Sequence, residues 1–289
     1  MASGANRPIA AVGIFRHPHV STATSLAHEI ADALRRAGAG VWETDRLEGE
    51  DVARRVAETD LLVTLGGDGS ILRAARAAVG HDTLILGVNL GRMGFLTEAE
   101  PDGWEGVLSR VLSGDYWVEE RMMLRARVVG ARVVGDALND VVVGQGALSR
   151  VVRLEVRVDG DLLTTYVADA LIIATPTGST AYALAAGGPI MPPQQRNILL
   201  VPVAPHLSLD RAVVLAEGVR VQVVVRGRSP AALTLDGEMM TDLTPGDMVE
   251  VGASPYVARF ARVRERDYFY RTLMARLVPR ESEEQGPSA

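Results

Sequence analysis

Between Gly114 and Arg121 the chain changes pattern, and that change limits its possible folds more than any other feature. Up to Gly114, β-branched apolar runs alternate with helical spacing. AAVGIF (10–15), DLLVTL (60–65) and TLILGVN (83–89) read as strands. After the first of them, Leu26, Ile30, Leu34 and Ala37 recur at helical intervals and stop at Gly38. A second helix runs from a cap at Ser70 to Val79 and ends at Gly80. Pro101 opens a third, which carries Trp104, Val107, Leu108, Val111 and Leu112 and closes at Gly114. Such alternation places the strands in a parallel sheet covered by helices.

From Arg121 on, the runs are short and β-rich: LRARVV, ALNDVVV, RLEVRV, LLTTYV, ALIIAT, NILLVPV, RVQVVV and MVEVG. Asp159-Gly160, between two of them, is a hairpin signal. The fold class expected is an α/β N-terminal domain with a parallel sheet, followed by a β-rich, β-sandwich-like C-terminal domain. The boundaries expected are 1–120 and 121–266. A helix at 267–278 (DYFYRTLMARL at its core) packs back on the body, and an acidic tail at 279–289 is disordered.

Composition excludes several functions. A net charge of −6 offers nothing to nucleic acid or to an anionic membrane. With no cysteine, thiol catalysis, thiolate metal sites and disulfides are absent. His17, His19, His28, His81 and His206 show no metal-ligand spacing, so no resident metal site is expected. The uncharged stretch 170–195 is broken by Pro176, Gly178, Gly187, Gly188 and Pro189, which no membrane-spanning helix tolerates together. MASGANRP lacks the basic start and apolar core of a signal peptide. A soluble, cytoplasmic protein is expected.

Chemistry concentrates in LVTLGGDGSIL (62–72), where Gly66, Gly67 and Gly69 surround Asp68 at the carboxyl end of a strand. That is where open α/β sheets bind ligands, and glycines there let backbone N–H groups approach phosphate. A bland role for Asp68 is to cap the helix that follows. With Ser70 available as cap, Asp68 is free for one of two roles beside phosphate: holding Mg²⁺, or taking a proton from a hydroxyl about to attack a phosphoryl group. Arg73, one helical turn on, supplies positive charge. Two more segments narrow the field. Asn139-Asp140 precedes a strand, where an Asx turn is the ordinary role for such a pair. TPTGSTAY (175–182) holds four hydroxyls in six positions, more than a helix start needs and suited to phosphate or ribose. Tyr182 offers a face to a heterocycle.

In this order, GGDGS, Asn139-Asp140, TPTGSTAY and the GGP turn at 187–189 resemble the signatures of the NAD kinase family. GVNLGRMGFLTE (87–98) resembles a further family segment, and the resemblance covers 9–277. It implies phosphorylation of the 2′-hydroxyl of the adenosine ribose of NAD, giving NADP. ATP or polyphosphate would be the donor, with Mg²⁺ or another divalent cation. Asp68 would be the general base, with Gly66, Gly67 and Gly69 leaving room for phosphates. Asn139 and Asp140 would bind ribose hydroxyls, and Asp169 would face the adenine amino group or a nearby donor. Thr177, Thr180, Ala181, Tyr182, Ala183, Leu184 and Ala185 would line the dinucleotide site, and Phe95 would border it. Arg73 and Arg150 would contact phosphates, and the assembly would be a homodimer or homotetramer. The chain departs from the family pattern at Ser70 (commonly threonine), at Asp140 (usually glutamate, one methylene longer) and at Ala185-Ala186, where a serine is often found. GGDG turns also resemble those of sugar phosphofructokinases and of diacylglycerol and sphingosine kinases. The first should keep strand–helix alternation throughout, and the second have no evident TPTGSTAY counterpart. A non-catalytic dinucleotide sensor would gain nothing from Asp68 among phosphates.

Overall fold

Apolar residues alternate between the two faces of the first strands, and that alternation builds the first half. The computed structural model describes residues 7–18, 20–91, 94–131, 133–146, 151–206 and 209–277. Among them β1 (Ala11–Arg16), β2 (Gly40–Thr44), β3 (Leu61–Leu65) and β4 (Leu84–Val88) lie parallel in the order β2-β1-β3-β4. Val12, Ile14, Val63 and Leu86 pack on one face, under α1 (Ser21–Arg36) and α4 (Trp104–Leu112). Phe15, Leu62 and Ile85 pack on the other, under α2 (Glu50–Ala57) and α3 (Asp68–Ala77). β2 and α2 escape the sequence reading because neither carries an apolar run. GVWET is half-buried at the sheet edge, and Val56 is the buried residue of α2.

The second half comprises β5 (Trp117–Val128), β6 (Val134–Ala137), β7 (Asp140–Gln145), β8 (Val152–Val158), β9 (Asp161–Ala168), β10 (Ala170–Ala174), β11 (Asn197–Val203), β12 (Val213–Ala216), β13 (Val221–Arg226), β14 (Ala231–Leu235), β15 (Glu238–Leu243) and β16 (Met248–Arg262). A short helix α5 (Tyr182–Ala185) lies between β10 and β11, and α6 (Tyr268–Leu277) ends the described chain. One antiparallel sheet runs β12-β11-β10-β7-β14-β15. It faces β5, β8, β13 and β16 across a core that includes Leu124, Val143, Leu154, Ile173, Val223 and Leu233. Asp159 and Gly160 both take positive φ (51° and 93°) in the tight β8–β9 turn, as the hairpin signal requires.

The two halves share a sheet. β16 pairs with β5 along most of its length, with β13 at its start, and in parallel with β4 at Arg259 and Phe260. The sequence reading recognised only MVEVG of this long strand. ALNDVVV is likewise not one strand: the chain leaves one sheet at Ala137, turns at Leu138 and Asn139, and enters the other at Asp140. The stretch 170–195 is a strand, a turn and α5, and no helix among the described residues is long and apolar enough to cross a membrane. Tyr268 and Phe269 are buried, so α6 does return to the body. Residues 279–289 lie outside the described residues.

Where the parallel strands give way to antiparallel ones, charges are buried. Glu119 and Arg121 on β5 and Arg262 at the end of β16 are each 3% exposed or less. Glu119 accepts from Arg262 Nε at 2.8 Å and from an Arg121 terminal nitrogen at 3.1 Å, and the Tyr268 hydroxyl donates to it at 2.9 Å. Arg262 also donates to the Leu96 carbonyl (2.8 Å) and to Glu98 (3.1 Å). Burial pushes the Glu119 carboxyl up, but the Arg262 and Arg121 guanidiniums together overcome it and hold the group below the usual glutamate range.

A carboxylate lowered in this way adds stability that is present above its unfolded pKa, about 4.3, and is lost as pH falls through the folded value. Glu119→Gln leaves two buried arginines short of a counter-charge and is expected to cost about 3 kcal/mol at neutral pH. The gap to wild type should narrow as pH falls below the unfolded value and through the lower folded one, where the wild-type carboxyl itself protonates. Denaturant unfolding across the acid range reads both effects, and a gap independent of pH would contradict this account.

Candidate active site

The turn after β3 places Asp68 at the first residue of α3. α3 starts at Asp68 itself, its N-cap Gly67 has no side chain, and no side chain caps the helix. Asp68 instead reaches across to the next loop. Oδ2 accepts the Phe95 N–H at 3.0 Å and Oδ1 accepts the Leu96 N–H at 3.1 Å. The carboxylate lies flat against Gly94, where a Cβ would stand 1.8 Å from Oδ1, so only glycine fits there. The expected cap at Ser70 is a correction: the helix begins two residues earlier, and Ser70 Oγ is buried in the first turn without a hydrogen-bond partner.

Gly67, Gly69 and Ser70 line one side of a cavity of about 380 Å³, with Arg73 and Arg76 on the same helix. The opposite side is Asp236, Gly237 and Glu238, from the tight turn between β14 and β15. Glu238 holds both arginines, at 3.4 Å from Arg73 Nε and 2.5 Å from a terminal nitrogen of Arg76. Free backbone N–H groups at the start of α3, with two arginines beside them, form a place for an anion. A larger concavity of about 890 Å³ lies among Arg125, Arg127, Arg220 and Glu250 on the outer side of the sheet and holds none of the motif residues.

Asp236 was missed by the sequence reading. It organises the Asn139-Asp140 corner by accepting the N–H groups of Leu138 (2.9 Å), Asn139 (2.7 Å) and Asp140 (3.2 Å). The signal was available: TLDGEMM (234–240) has the same Asp-Gly pair as the β8–β9 turn, and both residues again take positive φ. Asp140 is buried, and burial first, then the nearby Asp236 carboxylate, pushes its carboxyl up to about 7.

TPTGSTAY packs directly on this corner. The Thr175 N–H donates to the Asn139 carbonyl (2.8 Å) and its hydroxyl to the Leu138 carbonyl (2.6 Å). A Cβ on Gly178 would lie 2.1 Å from the Asn139 carbonyl oxygen, so glycine alone permits the approach. The hydroxyls expected to meet phosphate or ribose all have partners within the protein. Ser179 donates to Pro176 O and accepts from Met191 N, Thr180 donates to Thr177 O, and Thr177 accepts from Arg121 at 3.0 Å.

Beyond the loop, Thr180, Ala181 and Leu184 are half-buried, and Tyr182 and Ala185 are exposed. The Ala183 side chain is buried in a cluster with Val142, Ile172 and Leu199. Phe95 lies beside Phe269, with ring centroids 6.1 Å apart. Asp169 is not brought to this corner. It pairs with Gln145 Nε2 (2.5 Å) at the opposite end of β10 from Thr175, roughly 20 Å away at strand rise. Arg150 lies outside the described residues. Among those described, no three His, Asp or Glu side chains are grouped to hold a metal ion.

Known proteins resemble this chain in both sequence and fold. The family models for the ATP-NAD kinase N-terminal and C-terminal domains match residues 22–116 and 138–263. The NAD kinase of Chloroflexus aurantiacus is 40% identical over 269 residues, covering 92% of this chain and 98% of that protein. That of Heliobacterium modesticaldum is 43% identical over 219 residues, covering 74% and 77%. Among solved structures, a yeast NADH kinase complexed with NADH superposes with a TM-score of 0.83 at 25% identity, covering 98% of this chain and 91% of that one. An Archaeoglobus fulgidus NAD kinase in complex with ATP gives 0.76 at 25% identity, covering 92% and 97%.

The Asp140–Asp236 pair carries a measurable cost. A carboxyl raised by burial loses stability as pH climbs from its unfolded value, about 3.9, to the folded value, a range worth ~4 kcal/mol at most. Asp140→Asn is therefore expected to be more stable than wild type at pH 8 and to converge with it near roughly pH 4. Thermal midpoints at both ends test this, and an equal offset at both would contradict it.

Proposed function

The chain belongs to the NAD kinase family, and from that premise we propose how its residues divide the transfer of the ATP γ-phosphoryl group to the 2′-hydroxyl of NAD. The observation that carries the proposal is a cavity with Gly67, Gly69, Arg73 and Arg76 at the start of α3 on one side and Asp236 on the other. Asp236 also holds the Asn139-Asp140 corner on which TPTGST packs, and Asp68 lies in the same turn as Gly67 and Gly69. Donor phosphates sit over the first turn of α3, where Gly67 and Gly69 leave the backbone open and Arg73 and Arg76 turn from Glu238 to the ligand. Mg²⁺ bound to the donor phosphates would neutralise part of their charge beside the start of α3.

Asp68 acts as the general base. Each of its oxygens accepts one backbone N–H and keeps a second lone pair, so the carboxylate is aimed but not saturated. It takes the ribose proton as the 2′-oxygen forms its bond to the γ-phosphorus and ADP leaves. Asn139 and Asp140 hold the ribose. With its carboxyl near neutrality, Asp140 donates as well as accepts, which offsets its missing methylene relative to glutamate. Tyr182, exposed at the start of α5, offers its ring to a base, and Thr177, Thr180, Ala181, Leu184 and Ala185 border the dinucleotide. For Asp169 to meet the adenine, the ligand must span the length of β10 or a neighbouring copy must supply the residue. A homodimer or homotetramer fits the second case and would cover the edge strands, where Leu162, Val214 and Met239 are exposed. A cytoplasmic setting is proposed on the cysteine-free sequence, which needs no oxidising compartment.

Incubation with NAD, ATP and Mg²⁺ should yield NADP, read with an NADP-specific dehydrogenase, and excess EDTA should abolish it. Turnover undiminished by EDTA would contradict the role given to the cation. Asp68→Asn should lower kcat by roughly 10²–10⁴-fold with KM for NAD and ATP nearly unchanged, whereas near-normal kcat would remove the base assignment. Asparagine also turns an amide nitrogen toward one backbone N–H, about 1–3 kcal/mol, so the melting temperature of the same sample is measured alongside. Light scattering should give a dimeric or tetrameric mass, and a monomer at working concentration would contradict the assembly.

A further inference from the structure

Among the described side chains of α6, Tyr268 and Phe269 are the buried ones, while Tyr270 and Met274 on the same helix are 57% and 61% exposed. Both buried side chains lead to the candidate active site. The Tyr268 hydroxyl accepts from Arg121 at 2.5 Å and donates to Glu119, and the same Arg121 donates to Thr177 Oγ1 in the TPTGST loop. On the other branch Glu119 holds Arg262, Arg262 holds the Leu96 carbonyl, and the Leu96 N–H is on Asp68. Phe269 packs beside Phe95, whose N–H is on the second oxygen of Asp68. The dinucleotide loop and both oxygens of Asp68 thus meet at residues 268 and 269.

Stability alone is a poor reason for such a cluster. Buried ion pairs are costly to desolvate, and an apolar seam of the same volume is commonly as stable or more so. Here Arg121 Nε and one terminal nitrogen of Arg262 are left without a hydrogen-bond partner. What directional bonds provide, and apolar packing does not, is a fixed distance between the loops that they join.

Resting on the phosphoryl-transfer reading above, we propose that Tyr268 is a positioning residue: through Arg121 and Glu119 it sets the TPTGST loop and the Asp68 carboxylate in register. Misplacement of reacting groups by about 1 Å can cost on the order of 10²-fold in rate, so a partial loosening is worth roughly tenfold.

The test is Tyr268→Phe, which keeps the ring and removes the hydroxyl, with Phe269→Leu as a second variant and Arg271→Ala, an exposed change on the same helix, as control. Amide hydrogen exchange and steady-state kinetics are measured on each full-length protein. Expected are faster exchange at Phe95 and Leu96 with Val63 in β3 unchanged, and a kcat roughly tenfold lower with KM for NAD and ATP nearly constant, while Arg271→Ala matches wild type. Exchange unchanged at Phe95 and Leu96 in both variants would overturn the relay. Faster exchange with unchanged kcat would overturn the positioning role, as would exchange raised equally in β3, the sign of general loosening. A wild-type protein that forms no NADP would defeat the functional reading instead, and the exchange data would still decide the relay.

Discussion

Two arginines buried at one seam, Arg121 and Arg262, organise the rest of the molecule around their need for partners. An ionised side chain taken out of water must find counter-charge and acceptors, and here they come from distant segments: Glu119 on β5, Glu98 and the Leu96 carbonyl after β4, Thr177 after β10 and Tyr268 on α6. The seam lies where β16 passes from the antiparallel sheet to its short parallel pairing with β4. The TPTGST loop and residues 96–98 are anchored there, and Asp68 and the turn at Leu138 and Asn139 are one hydrogen bond further on, so their geometry follows from how charge is neutralised inside the protein.

A second set of bonds closes the site from the opposite side. Asp236 takes three consecutive N–H groups at the point where the chain changes sheets, and the carbonyls at that point in turn hold Thr175. Strand ends leave backbone groups unpaired, and pairing them with a buried carboxylate is one way to satisfy them. The result is a rigid corner facing the start of α3, with Asp140 trapped near neutrality beside Asp236. Charge repulsion tolerated there is consistent with a place built for a polar ligand.

What could be read from the sequence follows physical range. Alternating apolar residues identified β1, β3 and β4, glycines after Ala37, Val79 and Ser113 closed helices, and Asp159-Gly160 marked its hairpin, because each depends on neighbours along the chain. GGDGS and TPTGSTAY were legible as motifs. Their bonds were not legible: the TPTGST hydroxyls pair within the protein, Asp68 bridges to Phe95 and Leu96, and Ser70 does not cap α3. Asp236 and Arg262 were invisible for a plain reason: their partners are 98 and 166 residues away, and no local pattern encodes such a pairing. β2 and α2 failed on the opposite ground, being too short and too polar to show a period.

If Asp68 is the base, the two backbone N–H groups that hold it leave its remaining lone pairs to meet the hydroxyl to be phosphorylated. A crystal structure with NAD and a non-hydrolysable ATP analogue decides this. The expected result is a ribose 2′-oxygen about 2.6–3.2 Å from an oxygen of Asp68, with the Phe95 and Leu96 N–H bonds intact. A ribose whose 2′-oxygen sits on Asp140 or Asp236 instead, with Asp68 turned away from it, would rule out the base role.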